Sequence, residues 1–252
     1  MSWPQAADLG LTGPALVLPG PAEVAAAACA WVAELCTGSR EFHIALAGGS
    51  TPRQMYEHMS REYKTEVDWS RWHVWFGDER AVAPDGEASN YRMADVSLLR
   101  TVGIPENQVH RMPADDSSLA DGASRYNTAL SETMPQLRGM PRFDLVLLGL
   151  GEDGHTASLF PGDPALSVQD RACTTSRAAN EPRNRLTLTY AAINSAAHVA
   201  FLVTGSGKGA ALRAVQERSV PAAAVKPQDG ELVWFLDQAA VDSLQSAGQS
   251  VW

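Results

Sequence analysis

Short, near-continuous apolar runs alternate with longer segments of helical spacing along most of this chain, and that alternation is its strongest constraint. Residues 44–47, 73–76, 143–149, 186–190, 199–204 and 232–236 read as strands with little polar-apolar alternation. Such runs suit strands covered on both faces, as in a parallel sheet. Between them, 22–35, 52–63, 91–100, 119–134, 208–217 and 239–247 carry apolar residues at helical spacing. Strand-helix alternation implies βαβ units, so the expected class is α/β with a mostly parallel sheet and helices on both faces. No internal repeat or composition break divides the sequence, and a single domain over residues 1–252 is expected.

Charge and apolar patterning narrow the functional classes. The 20 Lys+Arg stand against 29 Asp+Glu, a net charge of −9. A general nucleic-acid or anionic-membrane binder needs a basic face, so neither partner is expected. An anionic ligand must instead be held by a few placed cations. The longest apolar run, 24–33, stops at Glu23 and Glu34, well short of the roughly 20 residues of a membrane span. Met1 to Gly10 carries no Lys, Arg or apolar stretch of the secretory kind, so a cytoplasmic location is expected. Cys29, Cys36 and Cys173 form no CxxC or Cys/His zinc spacing and read as small buried hydrophobes.

In open α/β sheets, ligands sit beyond the carboxyl ends of the strands, so the loops there are the place to look for chemistry. After 44–47 comes Gly48-Gly49-Ser50-Thr51-Pro52-Arg53-Gln54. Thr51 is the expected helix cap, with Pro52 at the first helical position and Gln54 completing a capping box. Two glycines and two hydroxyls exceed what capping needs, which makes Gly48, Gly49, Ser50 and Thr51 a candidate cradle for a phosphate or a sugar hydroxyl. After 73–76 comes Gly77-Asp78-Glu79-Arg80. Alone it would be a solvated turn; at this edge of the sheet Arg80 is a candidate fork for phosphate or carboxylate.

After 143–149 the chain reads Leu150-Gly151-Glu152-Asp153-Gly154-His155-Thr156-Ala157-Ser158. Gly149-x-Gly151-x-x-Gly154 has the dinucleotide-fingerprint spacing, but Pro161-Gly162 interrupt the long helix that the fingerprint must open. His155 in a glycine turn beside Asp153 is instead a candidate general acid/base. A metal site built from Asp78, Asp153 and His155 lacks the usual ligand spacings, so no metal or cofactor is expected. After 199–204, Gly205-Ser206-Gly207-Lys208-Gly209 fails as a nucleotide P-loop, with Leu202 and Gly209 at positions needing Gly and Ser or Thr. Lys208 remains a candidate phosphate contact or a plain surface lysine. Arg185 precedes 186–190 and so falls at the wrong edge of a parallel sheet unless the loop crosses back. His43, His58, His73, His110 and His198 lie in or beside apolar elements and read as structural. No G-x-S-x-G elbow is present, which disfavours a serine nucleophile.

Several of these segments, in this order, resemble the 6-phosphogluconolactonase family. They are Ala47-Gly48-Gly49-Ser50-Thr51-Pro52, Gly77-Asp78-Glu79-Arg80, Ser89-Asn90-Tyr91, the stretch from Gly149 through Asp153-Gly154-His155-Thr156-Ala157-Ser158 to Gly162, Arg185-Leu186-Thr187-Leu188, Thr204-Gly205-Ser206-Gly207-Lys208 and Trp234-Phe235-Leu236-Asp237. The resemblance implies a modified Rossmann-like fold without a metal requirement, and hydrolysis of 6-phospho-D-glucono-1,5-lactone in the oxidative pentose phosphate pathway. It implies that His155 is the base for the attacking water and that Asp78 and Asp153 orient it or the sugar hydroxyls. It further implies that Arg80, Arg185 and Lys208 hold the phosphate or the tetrahedral intermediate, with the loop from Gly48 to Thr51 lining the pocket. A monomer or weak homo-oligomer is expected. Glucosamine-6-phosphate deaminases share the glycine loop and an Asp-Gly-His segment, but Phe160 stands where their further catalytic carboxylate falls. A non-catalytic sugar-phosphate-binding module is the rival from another class, and it would have no use for a histidine beside Asp153.

Overall fold

The computed structural model describes residues 6–38 and 41–247; residues 1–5 of the amino-terminal segment lie outside them. Eleven strands are β1 (Ala15–Leu18), β2 (Phe42–Leu46), β3 (Trp72–Phe76), β4 (Asp78–Arg80), β5 (Gln136–Leu137), β6 (Met140–Pro141), β7 (Leu145–Leu148), β8 (Cys173–Arg177), β9 (Asn184–Leu188), β10 (His198–Val203) and β11 (Glu231–Asp237). The helices are α1 (Pro21–Cys36), α2 (Ser50–Glu62), α3 (Asn90–Ala94), α4 (Arg100–Val102), α5 (Leu119–Thr133), α6 (Tyr190–Ile193), α7 (Gly209–Gln216) and α8 (Gln238–Ala247). A π-helical stretch, Asp95–Leu99, joins α3 to α4. Among the described residues no helix is long and apolar enough to cross a membrane.

Six strands form a parallel sheet in the order β1-β11-β10-β7-β2-β3. Every residue of β2 and β7 is buried, as their unbroken apolar runs predict. Helices surround the sheet, α1 packed against α2 and α7 against α8. Phe201 and Trp234 stack at 3.8 Å in the core between β10 and β11. The expected strand 186–190 departs from this pattern. It is β9, and it lies outside the parallel sheet, between β4 and β8 in a three-stranded antiparallel sheet. Apolarity over a few residues reports burial on two faces and says nothing about which neighbour supplies the ladder.

The site's position follows from the connections. β2 leads through α2 to β3 on one side, whereas β7 leads to β10 on the other, so the strand order reverses between β2 and β7. These two strands share only the registered pairs Ile44↔Leu145 and Ala45↔Val146. Beyond them the chains separate, and such a switch point opens a crevice at the carboxyl edge. Two tyrosines satisfy backbone groups that the sheet leaves unpaired there. Tyr56 Oη accepts from the Ala47 N–H and donates to its carbonyl, both at 2.9 Å. Tyr126 Oη does the same for Phe76, at 2.9 and 3.1 Å. Both rings are fully buried, and Tyr126 protects the outer side of the edge strand β3.

On one face of the sheet, His43, His73, His110 and Trp75 stack on one another; Trp75 and His110 lie 3.9 Å apart. The Gln108 amide N–H2 donates to the Ser70 carbonyl and to His73 Nε2. His73 therefore carries its proton on Nδ1 and donates it to His110 Nε2 at 3.2 Å. Trp75 Nε1 donates to His43 Nδ1. This chain of bonds needs three neutral imidazoles. Burial, then the His73 and His43 rings, hold His110 down at about 4. Burial and His73 also lower His43, against the pull of Asp144 and Glu41.

Two outcomes are expected. Tyr56→Phe or Tyr126→Phe strands a buried N–H and carbonyl and should lower stability by about 1–3 kcal/mol, read from denaturant midpoints. An unfolded histidine titrates near 6.5, above the folded value of His110, so the unfolded chain binds more protons between the two. Stability should therefore be complete above pH ~6.5 and fall as pH drops toward about 4. His110→Phe, which keeps a ring on Trp75, should flatten that fall in urea melts across the range.

Candidate active site

A cleft of about 670 Å³ opens at the carboxyl edge of the sheet, at the switch point. Its floor and walls come from the ends of β2 and β7, the β3–β4 turn, the loop after β7 and the β8–β9 hairpin. Of the sequence-predicted residues, Gly48, Gly49, Asp78, Arg80, Asp153, His155 and Arg185 line it. Ser50, Thr51 and Lys208 do not.

The loop after β7 closes on itself. Gly151 N–H donates to the His155 carbonyl at 2.9 Å, and Gly154 N–H to the Gly151 carbonyl at 3.0 Å. The imidazole folds back over Gly151, where a Cβ would stand 2.1 Å from His155 Nδ1 and 2.8 Å from Asp153 Oδ1. Gly154 has φ +78°, and a Cβ on it would strike Val220. Both glycines are steric requirements of the turn. His155 Nδ1 lies 2.5 Å from Asp153 Oδ1, which also accepts the His155 backbone N–H at 3.1 Å. Partial burial works against the Asp153 charge, yet these two donors and the imidazole's field hold its carboxyl below the usual range. An ionised carboxylate only accepts, so Nδ1 carries a proton, and in the neutral ring the lone pair is on Nε2. The Phe160 ring leans on the imidazole at 4.7 Å, and Ala157, next along the cleft wall, holds a left-handed φ of +48°.

Period-two alternation sorts Asp78-Glu79-Arg80 on β4. Asp78 and Arg80 face the cleft, and Glu79 turns away and is buried. Glu79 accepts from the backbone N–H groups of Arg80, Asn90 and Tyr91 and from Ser89 Oγ, at 2.7–3.0 Å. Burial raises its pKa against the pull of those backbone donors. It ties the 89–91 turn to β4. Asp78 is held in turn: Asn90 Nδ2 donates to its Oδ1 at 3.1 Å and Ser158 Oγ to its Oδ2 at 2.6 Å.

The edge problem of Arg185 resolves through strand direction. β9 runs antiparallel to β4, so its first residues lie beside the end of β4, and Arg80 and Arg185 are register partners. Like charges directly opposite one another are unfavourable. Burial first, then the Arg80 charge, lower the Arg185 pKa, with Asp78 and Glu79 opposing. Nε of each guanidinium is buried without a hydrogen-bond partner. Arg80 is positioned by donating to the Ala88 carbonyl. Neighbouring Arg183, by contrast, pairs with Glu181 outside the cleft.

The glycine loop differs from its expected capping. Helix α2 starts at Ser50 with Gly49 as N-cap, at φ +106°, and no side chain caps it. Thr51 Oγ1 instead meets Thr204 Oγ1 at 2.7 Å, linking the loops after β2 and β10. Pro52 sits within the first turn, where an absent N–H costs no helical bond. A Cβ on Gly48 would overlap Asn90, so the glycine admits the amide that anchors Asp78. Lys208 Nζ donates to the Leu150 carbonyl at 2.7 Å, which places the amine behind the cleft wall. Its turn is held by buried Asp237, which accepts the N–H groups of Gly205 and of Ala240 in α8.

Asn90, Ser158 and Phe160 are site residues to which sequence reading assigned no role. The signal was available for the first two, since Ser89-Asn90 and Ser158 fall in motif segments, but the link of Ser158 to Asp78 spans 80 residues of sequence and that of Asn90 spans 12. Among the described residues no group of three His, Cys, Asp or Glu converges to hold a metal.

Residues 19–234 match the family model described as glucosamine-6-phosphate isomerases/6-phosphogluconolactonase. The chain is 43% identical over 208 residues to a 6-phosphogluconolactonase of Synechocystis sp., covering 80% of this chain and 84% of the relative. Among solved structures it is similar to the 6-phosphogluconolactonase from Trypanosoma cruzi, with TM-score 0.82, 32% identity and coverage of 91% and 96%. For the Trypanosoma brucei 6-phosphogluconolactonase the TM-score is 0.84, at 30% identity and coverage of 93% and 99%.

An oxyanion between Arg80 and Arg185 would relieve their mutual repulsion. Inorganic phosphate should therefore raise the melting temperature. Arg185→Met should abolish that rise while leaving the unliganded melting temperature unchanged or higher. Differential scanning calorimetry with and without phosphate checks both arms.

Proposed function

The chain belongs to the glucosamine-6-phosphate isomerase/6-phosphogluconolactonase family, and from that premise we propose that it hydrolyses 6-phospho-D-glucono-1,5-lactone to 6-phospho-D-gluconate. The reaction serves the oxidative branch of the pentose phosphate pathway. The observation that carries this reading is a histidine with a fixed tautomer and a paired guanidinium site in one cleft.

His155 Nε2 takes a proton from water as the water attacks the lactone carbonyl. Asp153 holds the imidazole through Nδ1 and stabilises the imidazolium that forms. The tetrahedral intermediate collapses with cleavage of the bond to the ring oxygen, which receives the proton from Nε2. Arg80 and Arg185 grip the phosphate, remote from the reacting carbon, and so supply orientation. Asp78, held by Asn90 and Ser158, accepts hydrogen bonds from sugar hydroxyls. The Gly48-Gly49 backbone lets the sugar approach closely. Ser50 and Thr51 shape that loop from behind, and Lys208 supports the wall through the Leu150 carbonyl. Phe160 favours this reading over amine release, because a phenyl ring at that place transfers no proton.

Lactone consumption, corrected for spontaneous hydrolysis, tests the proposal. His155→Ala should lower kcat by roughly 10²–10⁴-fold, the usual contribution of a positioned acid/base. Gly151→Ala, which displaces the imidazole, should lower kcat with little change in KM, whereas Arg185→Met should act chiefly on KM. Wild-type protein that leaves the spontaneous rate unchanged would sink the proposal.

A further inference from the structure

We infer that the same cleft interconverts the anomers of aldohexose 6-phosphates, opening and reclosing their six-membered hemiacetal ring. The inference rests on the lactonase reading and follows from its second half. The tetrahedral intermediate of lactone hydrolysis carries, at C1, the ring oxygen O5 and two further oxygens. A cyclic aldohexose 6-phosphate has the same ring and phosphate arm, with hydrogen in place of one of those oxygens. Collapse of the first and ring opening of the second are the same bond changes. Nε2 of His155 takes the proton from the C1 hydroxyl, and the freed O–H electron pair forms the C1=O bond. The C1–O5 bond breaks with its pair going to O5, which takes the proton back from Nε2. Rotation about C1–C2 and reversal of these steps give the other anomer. Every atom is conserved, and the histidine returns to its starting form without a co-reactant.

The geometry suits this chemistry. Asp153 occupies Nδ1, and Nε2 has no protein partner among the described residues, so one nitrogen can serve both O1 and O5 in turn. Phe160 covers a side of the imidazole and itself transfers no proton. The cleft, about 670 Å³, leaves room for the open aldehyde to turn. Arg80 and Arg185, register partners on β4 and β9, supply the selectivity for a phosphorylated ring.

The test is proton exchange spectroscopy on the two anomers of glucose 6-phosphate, run beside the lactone assay on the same protein. Wild type should accelerate anomer exchange over buffer by about 10²-fold or more, the lower bound for one positioned acid/base. His155→Ala and His155→Gln should both return it to the buffer rate, with thermal melts verifying that each variant is folded. Unphosphorylated glucose should show no acceleration. Lactone turnover with anomer exchange at the buffer rate would overturn this inference and leave the hydrolytic reading intact. Anomer exchange that survives loss of His155 would also overturn it. Anomer exchange without lactone turnover would instead overturn the hydrolytic reading and leave ring opening as the activity of the site.

Discussion

β2 and β7 run side by side through only two registered pairs before their crossovers leave in opposite directions, and the site is a consequence of that separation. Continuous pairing would close the sheet over the space now lined by Gly48, Gly49 and the loop after β7. The separation leaves backbone groups at the carboxyl edge without ladder partners. The fully buried Tyr56 hydroxyl replaces them at Ala47, and on the outer side of the edge strand β3 the Tyr126 hydroxyl does the same for Phe76. A parallel sheet with a gap at one edge is therefore stabilised by helices that return a polar atom to where the sheet ends.

The small antiparallel sheet adds what the large one cannot. Parallel strands bring only their carboxyl ends to the cleft, so a cation at the start of a strand would be wasted. By running β9 against β4, the chain sets Arg185 opposite Arg80 beside the parallel sheet's carboxyl edge. The arrangement is electrostatically unfavourable without an anion, and the buried carboxylates of Asp78 and Glu79 only partly offset it. Unpartnered Nε atoms on both guanidiniums belong to the same pattern. On the proposed reading this local cost preforms a site for a phosphate, in a molecule whose net charge is −9. Placed cations, not the overall field, must draw the ligand in.

The parallel sheet, its two-face burial and the loops at its carboxyl edge were legible, because period and apolarity report them directly. That Asp78, Arg80, Asp153 and His155 line the cleft was legible for the same reason: each follows an apolar strand. What stayed hidden depends on pairing between distant segments. No local pattern distinguishes β9 from a parallel strand, so the position of Arg185 was open until its antiparallel partner was known. Thr51 looked like a cap, and its hydroxyl proved to be engaged by Thr204 from another loop. Lys208 opens the expected turn, and its Nζ donates a hydrogen bond to the Leu150 carbonyl. Ser158 and Asn90 gain meaning only through Asp78, far from Ser158 in sequence and beside Asn90 only after folding.

Histidine shows most clearly that environment and not residue type decides chemistry. His43, His73 and His110 share stacked faces and a bond chain that holds them in neutral form. His155 sits at the carboxyl edge in a turn where a Cβ on Gly151 would overlap its ring. One nitrogen is committed to Asp153, and the other is left for a ligand. Phe160 lies against the ring from the side. On the proposed reading, the proton that Nε2 moves passes between two oxygens on the same carbon, which is the common step of opening a lactone's tetrahedral intermediate and a sugar's hemiacetal.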